Sequence, residues 1–132
     1  MATLLCHIEI NPGKEGEFEA VMKEMYRRTH AEEPDCIRYE YYRAAQSNKY
    51  YCLLSFTDRF AFLKHQISDY HEGYDFASMI KDMEMEWVDP VAGAAPLGGT
   101  EVVELPDSID DALQTAADTY VVAVQEWWQQ HR

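Results

Sequence analysis

The chain has 132 residues, of which 47% are hydrophobic, enough to bury the core of one small domain with an appendage. Its formal net charge is -13, from 24 acidic against 11 basic residues, and Lys14 with Arg27-Arg28 makes too small a basic patch to attract a phosphate backbone, so nucleic acid is not an expected partner. No stretch approaches the roughly 20 apolar residues of a membrane span, the N-terminus runs into strand-like sequence without a leader pattern, and Cys6, Cys36 and Cys52 lie in apolar runs, so the expectation is a cytoplasmic protein with reduced thiols and no membrane partner.

Leu4, Cys6, Ile8 and Ile10 alternate with His7 and Glu9, the period-two pattern of a half-buried strand, which Asn11-Pro12-Gly13 ends. Phe18, Val21, Met22, Met25 and Thr29 then recur at helical spacing above a wet face of Glu and Lys/Arg, until Pro34 forbids continuation. Residues 36–43 and 50–56 are rich in strand-favouring aromatics and flank a polar turn at 45–48, which predicts a hairpin. Thr57-Asp58 offers an N-cap to a helix from Arg59 with Phe60, Leu63, Ile67 and Tyr70 as its stripe, and helical character returns over 76–81. Met83, Met85 and Trp87 alternate with Glu84 and Glu86 in a fourth strand that stops before Pro90.

The order β-α-β-β-α-β predicts an α+β, ferredoxin-like domain over 1–92, with a four-stranded antiparallel sheet and both helices on one face. Alternation in the hairpin places Ile37, Tyr39, Tyr41, Tyr51 and Leu53 on one side and Tyr42, Tyr50, Cys52, Leu54 and Phe56 on the other. Both sides then read as apolar, and the uncovered one calls for a partner: two such sheets facing each other close into a barrel-like homodimer. Residues 93–107 read as a linker. Ile109, Ala112, Leu113, Ala116, Tyr120, Ala123, Val124 and Trp127 predict an amphipathic C-terminal helix within 108–132, packed on its own subunit or on the partner.

Nucleotide-binding, metalloprotease and nucleophile-elbow motifs are absent. What remains is proton-handling side chains among aromatics. His65, Asp69 and Glu72 at i, i+4 and i+7 would let a carboxylate orient an imidazole, although the stripe on the same helix turns His65 towards solvent. Trp87 and the strand tyrosines suit core, interface or pocket walls alike.

Asn11-Pro12-Gly13-Lys14-Glu15, the run from Ala31 through Glu33-Pro34-Asp35 to Tyr41, and Ala61-Phe62-Leu63-Lys64-His65 followed by Ser68 resemble the antibiotic biosynthesis monooxygenase (ABM) domain of the dimeric α/β-barrel superfamily, with its quinol monooxygenases, over residues 3 to about 90. The resemblance implies the βαββαβ dimer and oxygenation without metal, flavin or haem: a base deprotonates a phenol or quinol, and the anion reduces dioxygen directly. It further implies that His65 enters the pocket as the catalytic base, with Tyr39, Tyr41, Trp87 and Phe62 as substrate-binding walls. The substrate expected is a small aromatic, quinol or polyphenol. Alternatives on the same fold are a non-catalytic binding or assembly module, and an isomerase or decarboxylase. Haem degradation is disfavoured, because residues 56–60 supply no tryptophan.

Overall fold

A computed structural model describes all residues, 1–132. β1 (Ala2–Ile10) buries Leu4, Cys6, Ile8 and Ile10 on one face, as the alternation requires. Gly13, at φ +84°, turns the chain into α1 (Glu15–Glu32), whose buried Phe18, Met22, Met25 and Thr29 lie on one stripe. β2 (Cys36–Arg43) and β3 (Lys49–Phe56) form the hairpin, and α2 (Arg59–Gln66) follows, capped where the Asp58 carboxylate accepts from the Ala61 amide at 2.8 Å. Two single turns, α3 (Asp69–Glu72) and α4 (Phe76–Met79), lead into β4 (Ile80–Trp87). The strand begins three residues before its clear alternation, because Ile80 pairs with Ile10 across an irregularity in the ladder.

The strands lie in the order β2-β3-β1-β4, all neighbours antiparallel, which is the α+β ferredoxin-like sheet read from the sequence. It is an open sheet with edges at β2 and β4. Its register corrects the expected division of side chains. A bulge between Cys36 and Arg38 sets Tyr39 opposite Leu54 and Tyr41 opposite Cys52, so these aromatics share the helix-covered face with Cys6 and Ile8. Tyr42, Tyr51 and Leu53 fall on the other face, beside His7, Arg38, Glu40, Glu84 and Glu86. That face is therefore mixed in character rather than apolar throughout.

The C-terminal segment also differs from one continuous helix. It forms α5 (Asp111–Thr119) and α6 (Glu126–Gln129), separated by non-helical residues 120–125, where β-branched Val121, Val122 and Val124 weaken helical propensity. α5 packs on α2 of its own chain, burying Leu113, Ala116 and Ala117. Within the stretch read as a linker, Thr100 is fully buried: its hydroxyl donates to the Val88 carbonyl at 2.6 Å, while Arg132 binds both Asp89 and the Thr100 carbonyl. No helix is long and apolar enough to cross a membrane.

Candidate active site

The last turn of α2 holds the chemistry. Phe62 and Leu63 are fully buried and anchor the helix between β3 and α5, and this two-sided packing carries His65 inward, where only 1% of it is exposed. The wheel that turned His65 outward assumed one buried face, and α2 has two. The spacing argument for Asp69 and Glu72 fails for a related reason: α2 ends at Gln66, so those carboxylates belong to a separate turn.

The carboxylate that meets His65 comes from elsewhere. Pro34 stops α1, and Glu33, whose amide still bonds the Thr29 carbonyl, directs its side chain at the imidazole. The Glu33 oxygens lie 3.0 and 3.1 Å from His65 Nδ1 and also accept the Tyr70 hydroxyl. Because the only Tyr70 proton goes to Glu33, the Thr29 hydroxyl, 2.8 Å away, donates to Tyr70. A carboxylate only accepts, so Nδ1 carries a proton, and in the neutral form of the ring Nε2 is the nitrogen with the free lone pair. That nitrogen is buried without a hydrogen-bond partner in the protein.

His65 belongs to the lining of a cavity of about 300 Å³ between the helices and the sheet, among Cys6, Tyr39, Leu54, Gln66, His71 and Phe76. The His65 ring packs 4.8 Å from that of Tyr39 and 5.2 Å from those of Phe56 and His71. Tyr39 is 2% exposed and its hydroxyl is 2.8 Å from that of Tyr41; burial pushes both phenols well above the ordinary tyrosine value. Burial likewise pushes the Cys6 thiol up to about 12, which keeps it protonated and unreactive. His71 is lowered to about 4 by burial and by neighbouring His65, against a smaller opposite pull from Glu33, so it is neutral near pH 7.

Tyr39, Tyr41 and His65 are thus brought to one cavity. Phe62 and Trp87 are not: they pack against each other at 5.5 Å, with Phe62 also against Tyr120, and neither borders the cavity, because their apolar rings fill the seam between α2, the sheet and α5. Glu33, Gln66 and His71 were missed. Glu33 read only as the residue before the helix-breaking Pro34, and its distance in sequence from His65 hid the contact; only the proximity of Gln66 and His71 to His65 in sequence hinted at the rest. A larger groove of about 600 Å³ between α1 and β2 offers no free base, since Glu19 is held by Arg43 and Tyr50, and Glu40 by Arg38 and Tyr42. No cluster of three or more His, Cys, Asp or Glu side chains has a geometry that could hold a metal ion.

A buried carboxylate–imidazole pair beside a largely apolar cavity is an arrangement that can move a proton. The family model described as antibiotic biosynthesis monooxygenase matches residues 1–74, more than half of the chain. The chain belongs to the antibiotic biosynthesis monooxygenase (ABM) family. Glu33, His65 and His71 lie inside the matched ABM region, whereas α5 and α6 lie beyond it.

Solved structures share the ABM fold. A Caulobacter crescentus protein, provisionally named an antibiotic biosynthesis monooxygenase, is 24% identical, with a TM-score of 0.63 over 68% of this chain and 89% of its own. A Bacteroides thetaiotaomicron protein of the same provisional name is 19% identical, with a TM-score of 0.66 over 73% of this chain and 94% of its own. A Pseudomonas aeruginosa protein is 18% identical, with a TM-score of 0.63 over 69% and 94%. At these identities the likeness concerns the fold alone. Comparison with curated proteins yields no match.

Proposed function

We propose that the chain is a cofactor-independent monooxygenase that oxidises a quinol or polyphenolic aromatic with dioxygen, with His65 as the base. The reading rests on one observation above all, the unpartnered His65 Nε2 in an aromatic cavity with Nδ1 held by Glu33. Nε2 takes the proton of a bound phenol, and the Glu33 carboxylate offsets the charge of the imidazolium that forms. The phenolate, in apolar surroundings, is electron-rich enough to reduce dioxygen. One oxygen atom ends on the ring and the other leaves as water, so that quinol plus dioxygen becomes hydroxyquinone plus water. Glu33 also borders an outer polar groove with Arg28, Asp35 and Lys64, which gives the abstracted proton a way out. Support for the oxygen chemistry comes from family membership, and support for the acid–base step from the geometry.

Oxygen uptake with a panel of quinols and polyphenols is the test. We expect turnover that His65→Ala lowers by about 10²–10⁴-fold, the usual contribution of a positioned base. No uptake above that of the variant with any member of the panel defeats the proposal, and binding without turnover would place the chain among non-catalytic binding modules.

A further inference from the structure

We propose that Gln66 is the specificity-determining residue of the cavity, donating its amide N–H to a second oxygen of the ligand, so that the site takes aromatics with two oxygen functions in preference to monophenols. This rests on the reading of the cavity as a phenol site. Three residues of the lining each carry a nitrogen buried without a hydrogen-bond partner in the protein: His65 Nε2, His71 Nδ1 and Gln66 Nε2. Buried polar groups are almost always paired, so three unpartnered nitrogens around one cavity describe the ligand that would pair them. The two imidazoles are 5.2 Å apart, close enough for one hydroxyl oxygen to donate to His65 and accept from neutral His71. Gln66 follows His65 on α2, and because consecutive helical residues project about 100° apart its side chain leaves the helix in another direction; at 4% exposure its amide is nearly sealed from bulk solvent. A monophenol would leave that donor unpaired.

Calorimetric titration under nitrogen, with 1,4-dihydroxynaphthalene and 1-naphthol as probes, reads the preference without any turnover. The native chain should bind the diol about 10–100-fold more tightly, the discrimination typical of a buried donor left unpaired by the analogue. Gln66→Leu and Gln66→Met, checked for folding by thermal melting, should weaken the diol and bring the ratio close to one, while His71→Phe weakens both probes alike. Equal affinities in the native chain, failure of both probes to bind, or a ratio that survives both Gln66 variants overturns the inference. Oxygen uptake separates the two readings: discrimination without uptake leaves Gln66 as the selector and removes the oxygenase, whereas uptake with equal affinities does the reverse.

Discussion

Glu33 lies one residue beyond the end of α1, yet its carboxylate meets a histidine 32 residues further on. Replacing it with glutamine keeps a hydrogen-bond acceptor but removes the charge that balances the imidazolium, so Glu33→Gln should lower kcat by about 10–100-fold with KM little changed, read from initial rates of oxygen uptake. An unchanged kcat would mean that the pair only positions the ring. His71 makes a prediction about stability. Its folded pKa of about 4 lies below the ordinary 6.5, so between those values the unfolded chain binds more protons than the folded one. Stability therefore falls as pH falls through that window, and this part of the loss should vanish in His71→Phe. Urea midpoints at pH 6.5 and 5, above the carboxylate range, measure it; parallel losses in both proteins would place the effect elsewhere. Neither residue was legible in function from the sequence, because no local pattern links Glu33 or His71 Nδ1 to the cavity. That Tyr39 and Tyr41 share a face was legible from strand alternation, but which strand-β3 residues lie with them was not.

At the scale of elements, α2 is a helix with two neighbours. The sheet holds one side and α5 the other, through Leu113, Ala116, Ala117 and the Phe62–Tyr120 ring contact at 5.5 Å. Leu113→Ala removes a buried side chain from that seam and should cost about 2–5 kcal/mol of unfolding free energy in urea titration. A loss within experimental error would mean that α5 rests loosely on α2. The end of α1, the hairpin turn and the start of α2 followed from Pro34, the polar residues 45–48 and Asp58, each of which acts on the backbone locally, whereas the end of α2 at Gln66, short of the expected Tyr70, did not. The break between α5 and α6 was not read, although the valine run that weakens the helix there is visible in the sequence.

For the whole molecule, the helix-free face presents Leu5 and Leu53 beside Tyr42, Tyr51 and His7, with the Arg38–Glu40 ion pair towards one edge and Glu84 and Glu86 towards the other. We propose that two chains pair through the Leu5, Leu53, Tyr42 and Tyr51 part of this face about a two-fold axis. Sedimentation at micromolar concentration should show a dimer, and Leu53→Asp should shift it towards monomer. A clean monomer of the native chain ends that proposal.

Element types, their order and the ferredoxin-like sheet were determined by the sequence itself, because hydrophobic period, turn residues and breakers act within a few residues of where they stand. Which tyrosines share a face was decided by a bulge between Cys36 and Arg38, whose position depends on pairing with β3. The polar partners of the site were decided by the tertiary structure. His65 is buried among Tyr39, Phe56, Tyr70 and His71, and the end of α1 brings Glu33 to its ring, contacts made between segments that no local pattern links.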